Sequence, residues 1–178
     1  MPFAANKTFM NPMMPRGADP WMYRHRDGHY YFMITLGDRL ELRQSPSMSG
    51  VAHAKPKTIW LPPESGAGSR ELWAPEIHFI GEKWYIYYTA SDGGGDPSRK
   101  IYVLENENPD PMEGLWTEKG AVNTMLPGLD GTILEHGGKL YFMYAGYGHF
   151  PDYGSAIYAA LMENPWTLTG PESLLTKP

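Results

Sequence analysis

The sequence predicts an all-β fold built from repeated sheets of four antiparallel strands, which is the architecture of a β-propeller. Three observations support this prediction. The 178 residues contain three similar stretches that each read as two short strands joined by a tight turn. Aromatic residues, which favour strands, make up 13% of the chain. Finally, 20 glycines and 17 prolines interrupt the chain too often for long helices.

Each of the three stretches carries an acidic residue near the start of its first strand. The hairpins are predicted at 18–35, 73–90 and 130–145. Asp19, Glu76 and Asp130 are placed at the same point of successive units, 57 and 54 residues apart. These spacings are a little longer than the usual propeller blade of about 40 to 50 residues. First strands of propeller blades all line the central axis, so the three carboxylates are expected to meet at one end of it.

The remaining elements are predicted in the same order in every unit. Residues 1–17 form an irregular lead-in, a glycine-rich loop is expected over 92–97, and a further loop is expected over 146–154. Third strands, indicated by short apolar patterns, are predicted at 39–43, 100–105 and 156–161. Outer strands are predicted at 58–60 and 116–119, and residues 164–169 and 172–175 follow the third strand of the last unit. The chain is therefore interpreted as one truncated propeller domain over 1–178, with blades at about 18–62, 72–120 and 128–178.

Composition excludes several classes of partner. The net charge is −5, the isoelectric point is about 5.6, and the basic residues are scattered, so neither a nucleic-acid surface nor an acidic-lipid surface is expected. The absence of cysteine excludes disulfides and thiolate metal sites. Neither a charged leader followed by an apolar run nor a stretch of roughly 20 apolar residues is present. The expectation is a soluble chain, cytoplasmic or secreted after processing.

Three carboxylates in one partly dry pocket suggest acid–base chemistry. Like charges brought together separate their pKa values, which lets one carboxylate act as a base while another holds a proton. Glycoside hydrolysis uses such a set, with one acid on the leaving oxygen and an opposing carboxylate on water. Trp21 and Trp73, close to the acids, would offer flat apolar faces to a sugar ring. A carbohydrate substrate is therefore predicted.

Each acidic residue also has a purely structural interpretation. Asp19 precedes a proline and Asp130 precedes a glycine, and both pairs are common in turns. Glu76 could be an ion-pair partner of Arg16 or Arg70. Their shared position in the repeat favours the functional interpretation, because independent turn residues need not fall at equivalent places. His78 and His136 follow their acids in sequence, but a histidine in a strand is more often packed or hydrogen-bonded than a metal ligand.

Four motifs follow one another in the sequence: Ala18-Asp19-Pro20-Trp21, Leu72-Trp73-Ala74-Pro75-Glu76-Ile77-His78, Lys83-Trp84-Tyr85-Ile86-Tyr87-Tyr88 and Leu129-Asp130-Gly131-Thr132. Together and in this order they resemble glycoside hydrolase family 43, a family of five-bladed propellers that includes inverting arabinofuranosidases, xylosidases and arabinanases. Residues 102–105 and 164–167 are similar to the exo-acting arabinofuranosidase branch. The resemblance implies that Asp19 is the general base and that Asp130 orients the acid and tunes its pKa. It also implies that Trp73 to His78 form the wall of the sugar pocket.

The resemblance also defines where the sequence departs from the family. Its general acid is a glutamate in a Glu-Gly-Pro-like motif of a later blade, and this motif is absent; Glu172 follows Gly170-Pro171 in a different order. About three of the five blades are expected, so the sequence predicts self-association and impaired turnover. The alternative is a carbohydrate-binding or structural fragment without chemistry. The expected ligands are arabinose- or xylose-containing oligosaccharides. No cofactor is predicted, although the resemblance allows an axial structural calcium.

Overall fold

A computed structural model describes residues 12–149 and 154–178 of the chain. Within these ranges, twelve strands form three sheets of four antiparallel strands, and in each sheet the strands lie side by side in chain order. The predicted all-β class and the blades of four strands are therefore confirmed. Part of the predicted lead-in (residues 1–11) and part of the predicted loop (residues 150–153) lie outside the described residues. The rest of that predicted loop is wrong, because residues 146–149 end one strand and residue 154 begins the next.

The strand bounds follow the three units of the sequence. The first sheet contains β1 (Ala18–Arg24), β2 (Tyr30–Thr35), β3 (Leu40–Ser45) and β4 (Lys57–Trp60). The second contains β5 (Arg70–Ile80), β6 (Lys83–Ser91), β7 (Lys100–Asn106) and β8 (Thr117–Ala121). The third contains β9 (Gly128–His136), β10 (Lys139–His149), β11 (Gly154–Asn164) and β12 (Thr167–Thr176). Residues 167–169 and 172–175 belong to one strand, β12, whose pairing with β11 is interrupted by register shifts, and Asn164 is the last residue of β11.

Two of the inner hairpins turn on two residues with positive φ angles. Gly81 and Glu82 join β5 to β6 with φ of 55° and 65°, and Gly137 and Gly138 join β9 to β10 with φ of 58° and 72°. Positive φ at both central positions is typical of the type I′ turn, whose twist matches that of the flanking strands. Asp27 and Gly28 lie in a longer connection between β1 and β2. The described residues contain only two short 3-10 segments (Ser49–Ala52 and Asp96–Ser98) and no helix long enough to cross a membrane.

The core consists of two apolar clusters, one on each side of the second sheet. Strand β6 supplies both, because successive side chains of a strand point to opposite faces. Trp84, Ile86 and Tyr88 pack with the first sheet, whereas Tyr85 and Tyr87 pack with the third. This explains why residues 84–91 are all buried and why the sequence there is an almost unbroken aromatic and aliphatic run. The second blade thus packs against the first blade on one face and the third blade on the other. This packing fixes the relative positions of β1, β5 and β9.

Candidate active site

The three predicted carboxylates lie around one pocket. Its volume is about 190 Å³, and the residues that line it are Asp19, Pro20, Trp21, Ala74, Pro75, Glu76 and Asp130. Strands β1, β5 and β9 each supply one acidic side chain, so the pocket is built where the first strands of three blades meet. It is smaller than the roughly 300 to 1,000 Å³ of sites for drug-sized ligands and suits a single small polar ring. We call it the three-carboxylate pocket.

Asp19 and Asp130 are directed by bulges in their strands. Each lies where two residues of the first strand face one residue of the second, between Ala18 and Trp21 in β1 and between Leu129 and Thr132 in β9. The φ angles are 48° for Asp19 and 55° for Asp130, in the left-handed region that aspartate tolerates better than most residues. A bulge re-aims a side chain away from the regular alternation of the strand. The turn-forming pairs Asp19-Pro20 and Asp130-Gly131 therefore form the bulges that direct the two carboxylates toward the pocket.

The equivalent residue of the second blade is Ala74, and the predicted equivalence of Glu76 was wrong. Ala74 has a φ of 43° and occupies the matching bulge of β5, between Trp73 and Glu76. With Ala74 in this place the spacings become more even, 55 residues from Asp19 and 56 residues to Asp130. Glu76 lies two residues further along β5, in the middle of the strand, and still lines the pocket. Asp19-Pro20 in the first blade matches Ala74-Pro75 in the second, so the shared feature of these two bulges is the proline and not an acidic residue.

The environment of Asp130 favours its neutral form. Solvent reaches this side chain, but protein atoms surround part of it, and this loss of water is the first cause that raises its pKa above the ordinary value. The negative charges of Asp19 and Glu76 raise the pKa of Asp130 further. The predicted effect of neighbouring negative charges on a pKa is thus present at Asp130.

This shift predicts how stability depends on pH. With a raised pKa, Asp130 holds its proton more tightly in the folded than in the unfolded chain, so its ionisation opposes folding as the pH rises through the folded pKa. Asp130→Asn should therefore melt at a higher temperature than the wild type at pH 7. The gain should disappear below the ordinary aspartate pKa of 3.8, where both states are protonated. Thermal melts across this range test the prediction, and a less stable variant at pH 7 would contradict it.

Trp21, Glu76 and His78 form a connected wall. The indole nitrogen of Trp21 donates to the Ile77 carbonyl oxygen at 2.9 Å, which pins β1 to β5. His78 Nε2 lies 3.1 Å from Oε2 of Glu76, and its ring lies 5.1 Å from that of Trp21. An ionised carboxylate only accepts hydrogen bonds, so Nε2 donates when Glu76 is charged. His78 is buried and is not among the lining residues, so it reaches the pocket through Glu76 and Trp21.

The structural alternative for Glu76 was an arginine partner. The hydrogen bond that its carboxylate makes among the described residues is the one to His78, and Arg70 instead donates to the Ser69 carbonyl oxygen at 2.8 Å. Glu76 is therefore held by a histidine that is itself packed, which leaves its second oxygen available to the pocket.

Trp73 lies next to the pocket rather than among its lining residues. The guanidinium carbon of Arg99 lies 3.8 Å from the centre of the Trp73 ring system. Arg99 is almost fully buried and forms ion pairs with Glu71 at 3.1 Å and Asp96 at 2.8 Å. One face of the indole is thus occupied by a cation–π contact. Sequence reasoning missed Arg99 because 26 residues and a glycine-rich loop separate it from Trp73.

The described residues do not assemble an evident metal site. Across 12–149 and 154–178, no group of three histidine, cysteine or acidic side chains is arranged to hold an ion. Calcium also uses backbone carbonyl oxygens and water, so the axial calcium that the resemblance allows stays a prediction.

Comparison with known proteins gives a consistent result. The sequence model of the family described as "Glycosyl hydrolases family 43" matches residues 9–178. The extracellular exo-alpha-(1->5)-L-arabinofuranosidase of Streptomyces chartreusis is 40% identical over 174 residues, which cover 96% of this chain and 53% of that protein. The protein of the same description from Streptomyces avermitilis is 36% identical, with 99% and 38% covered. A crystal structure of the alpha-L-arabinofuranosidase from Lactobacillus brevis is 39% identical with a TM-score of 0.89, covering 96% and 56%.

The chain spans about half or less of the length of these relatives. The similarity nevertheless extends over nearly all of this chain, including all three sheets and the three-carboxylate pocket.

Proposed function

Because this chain belongs to family 43 of the glycosyl hydrolases, we propose that the three-carboxylate pocket hydrolyses terminal α-L-arabinofuranosyl residues of plant cell-wall polysaccharides. The observation that carries the proposal is the meeting of Asp19, Glu76 and Asp130, from three blades, in a pocket sized for one sugar ring. The names of the arabinofuranosidases that resemble this chain support arabinose as the sugar. A terminal β-xylosyl residue is the second substrate class, since both are pentosides.

The proposed reaction is a single displacement with inversion at the anomeric carbon. Asp19 accepts a proton from water while the water oxygen forms a bond to that carbon. The bond to the leaving oxygen breaks at the same time, and a general acid donates a proton to this oxygen. Asp130, whose pKa is raised by burial and by the other two acids, orients that acid. Trp21 packs against the sugar ring, and Glu76 binds a sugar hydroxyl.

The general acid is the part of this scheme that the described pocket does not provide. Its three carboxylates already have roles as base, orienting group and hydroxyl ligand. We therefore expect the chain to favour substrates whose leaving group needs little protonation, and to be slow on natural linkages.

A comparison of two substrates tests the proposed function. An aryl α-L-arabinofuranoside has a good leaving group, whereas an arabino-oligosaccharide needs protonation of its leaving oxygen. The account predicts hydrolysis of the aryl compound and much slower hydrolysis of the oligosaccharide, with an aryl β-xyloside as the matched test of sugar preference. Equal rates on both arabinosides would mean that an acid is supplied. No hydrolysis of any of them would contradict the proposed activity.

The second candidate function is carbohydrate binding without chemistry. The missing acid favours it, because a base and a sugar-sized pocket are sufficient for recognition but not for efficient cleavage. Calorimetric titration with arabino-oligosaccharides separates the two, since binding without release of sugar supports this alternative.

We also propose that the chain self-associates. The third blade exposes four large apolar side chains at 37 to 56%, namely Leu134, Ile157, Leu174 and Leu175. These side chains lie on β9, β11 and β12 of one sheet, so contact with a second copy of the chain would remove apolar surface from water. Light scattering of the purified chain should give a mass of at least two copies. A monomeric mass with a cooperative melt would contradict this proposal.

A further inference from the structure

Thr35, at the end of β2, lies between the first and second blades. Its hydroxyl oxygen is 2.6 Å from Oδ2 of Asp19 and also 2.6 Å from the backbone nitrogen of Ala74. Asp19 belongs to the same blade as Thr35, whereas Ala74 is the bulge residue of the next blade. One side chain thus joins the proposed base to the backbone of the neighbouring sheet.

The chemistry of the three groups fixes the direction of both hydrogen bonds. A backbone N–H can only donate, so the oxygen of Thr35 must accept from Ala74. A threonine hydroxyl carries one proton, and this proton is then free to point at Asp19. Oδ2 of Asp19 consequently accepts, which is the role of an ionised carboxylate. Oδ1 is left as the oxygen that can take a proton from water.

A similar interblade hydrogen bond joins the second and third blades, but there the threonine hydroxyl has no carboxylate to which it can donate. Thr89 is paired with Trp73 as Thr35 is paired with Ala18, and the hydroxyl oxygen of Thr89 accepts from the backbone nitrogen of Asp130 at 3.1 Å. The bulge residue of the second blade is Ala74, which has no carboxylate to receive the threonine proton. The interblade hydrogen bond is therefore a repeated structural feature, and only in the first blade does it also orient an acid.

We propose that Thr35 is a positioning residue for the reaction. It is held by the Ala74 N–H and donates its only proton to Oδ2 of Asp19, so that Oδ1 faces the attacking water. This proposal rests on the proposed function, because it assigns Thr35 a role through the base. It also links the geometry of the base to the packing of the second blade, since a shift of Ala74 would release the hydroxyl.

Two variants of one residue test the proposal, with a third as the control. Thr35→Val keeps the shape of the side chain and removes the hydroxyl, whereas Thr35→Ser keeps the hydroxyl. Thr58→Val removes the hydroxyl of an exposed threonine of β4. For the aryl arabinofuranoside, we expect Thr35→Val to lower kcat about ten- to a hundredfold with KM changed less than about threefold, as for loss of a hydrogen bond to a charged group. Thr35→Ser should restore most of kcat, and Thr58→Val should leave it unchanged.

A purely structural role would give a different result. Then Thr35→Val would lower the melting temperature with kcat per folded molecule unchanged, and this outcome would overturn the proposal. Crystal structures of the wild type and both variants provide a test that does not need turnover. The Asp19 carboxylate should leave its wild-type orientation in Thr35→Val and keep it in Thr35→Ser. If the wild type hydrolyses nothing, the proposed function fails, but the crystal structures still test whether Thr35 positions Asp19. An Asp19 carboxylate that keeps its orientation in Thr35→Val would overturn the positioning role.

Discussion

Replacing Asp19 with asparagine should lower turnover of an aryl α-L-arabinofuranoside by about 10² to 10⁴-fold, the range typical of a lost general base. Asparagine has the same shape but cannot take a proton from water. Its amide oxygen can still accept from Thr35, and asparagine also tolerates the left-handed φ of 48° at this position. The fold should therefore remain intact, with a melting temperature close to that of the wild type.

Asp38→Asn is the matched control for this substitution. Asp38 is an exposed aspartate of the first blade that is paired with Arg39 and lies outside the set of residues lining the pocket. Its replacement should leave both turnover and melting nearly unchanged, because exposed ion pairs contribute little to stability. If Asp19→Asn retained wild-type turnover, Asp19 would not be the base.

Replacing Trp84 with alanine should lower the free energy of unfolding by about 3 to 5 kcal/mol, the cost typical of removing a large aromatic side chain from a core. Trp84 is fully buried, and its indole nitrogen donates to the Pro109 carbonyl oxygen at 3.0 Å. Four aromatic rings lie within 6 Å of it, those of Tyr23, His25, Tyr31 and Phe79. Two of these belong to β1 and β2, so the cavity would open between the first and second blades.

Chemical denaturation measures this cost, with Leu115→Ala as the control. Leu115 is 79% exposed, and its truncation should change the free energy of unfolding by no more than about 0.5 kcal/mol. A loss below about 1 kcal/mol for Trp84→Ala would mean that the two blades are not held together by this cluster.

Local signals were sufficient to predict the strands and their order. The turn at Gly81 and Glu82 is marked by a glycine between two apolar runs, and the buried strand β6 by its unbroken aromatic sequence. Repetition then predicted three sheets and the convergence of their first strands. These features depend on neighbouring residues and on the repeat of the three units, and both can be seen in a single sequence.

The parts that sequence reasoning missed depend on contacts between segments that are far apart in the chain. The equivalence of Ala74 with the two aspartates is a matter of strand register, which became visible only from the cross-strand pairs. The cation–π contact of Arg99 with Trp73 joins the residue that precedes β7 to strand β5, within one blade. Thr35 acquires its role from the backbone of the next blade, and nothing in its own neighbourhood of the chain indicates it.

The stereochemistry of the first product tests the central claim most directly. If Asp19 activates water opposite the leaving group, the α-linked arabinofuranoside must first release the β-anomer. Proton NMR during the first minutes of hydrolysis distinguishes the two anomers before they equilibrate. Initial appearance of the β-anomer, lost in Asp19→Asn, is the predicted result. Initial release of the α-anomer would mean that a carboxylate of the three-carboxylate pocket attacks the sugar directly, and would contradict the account.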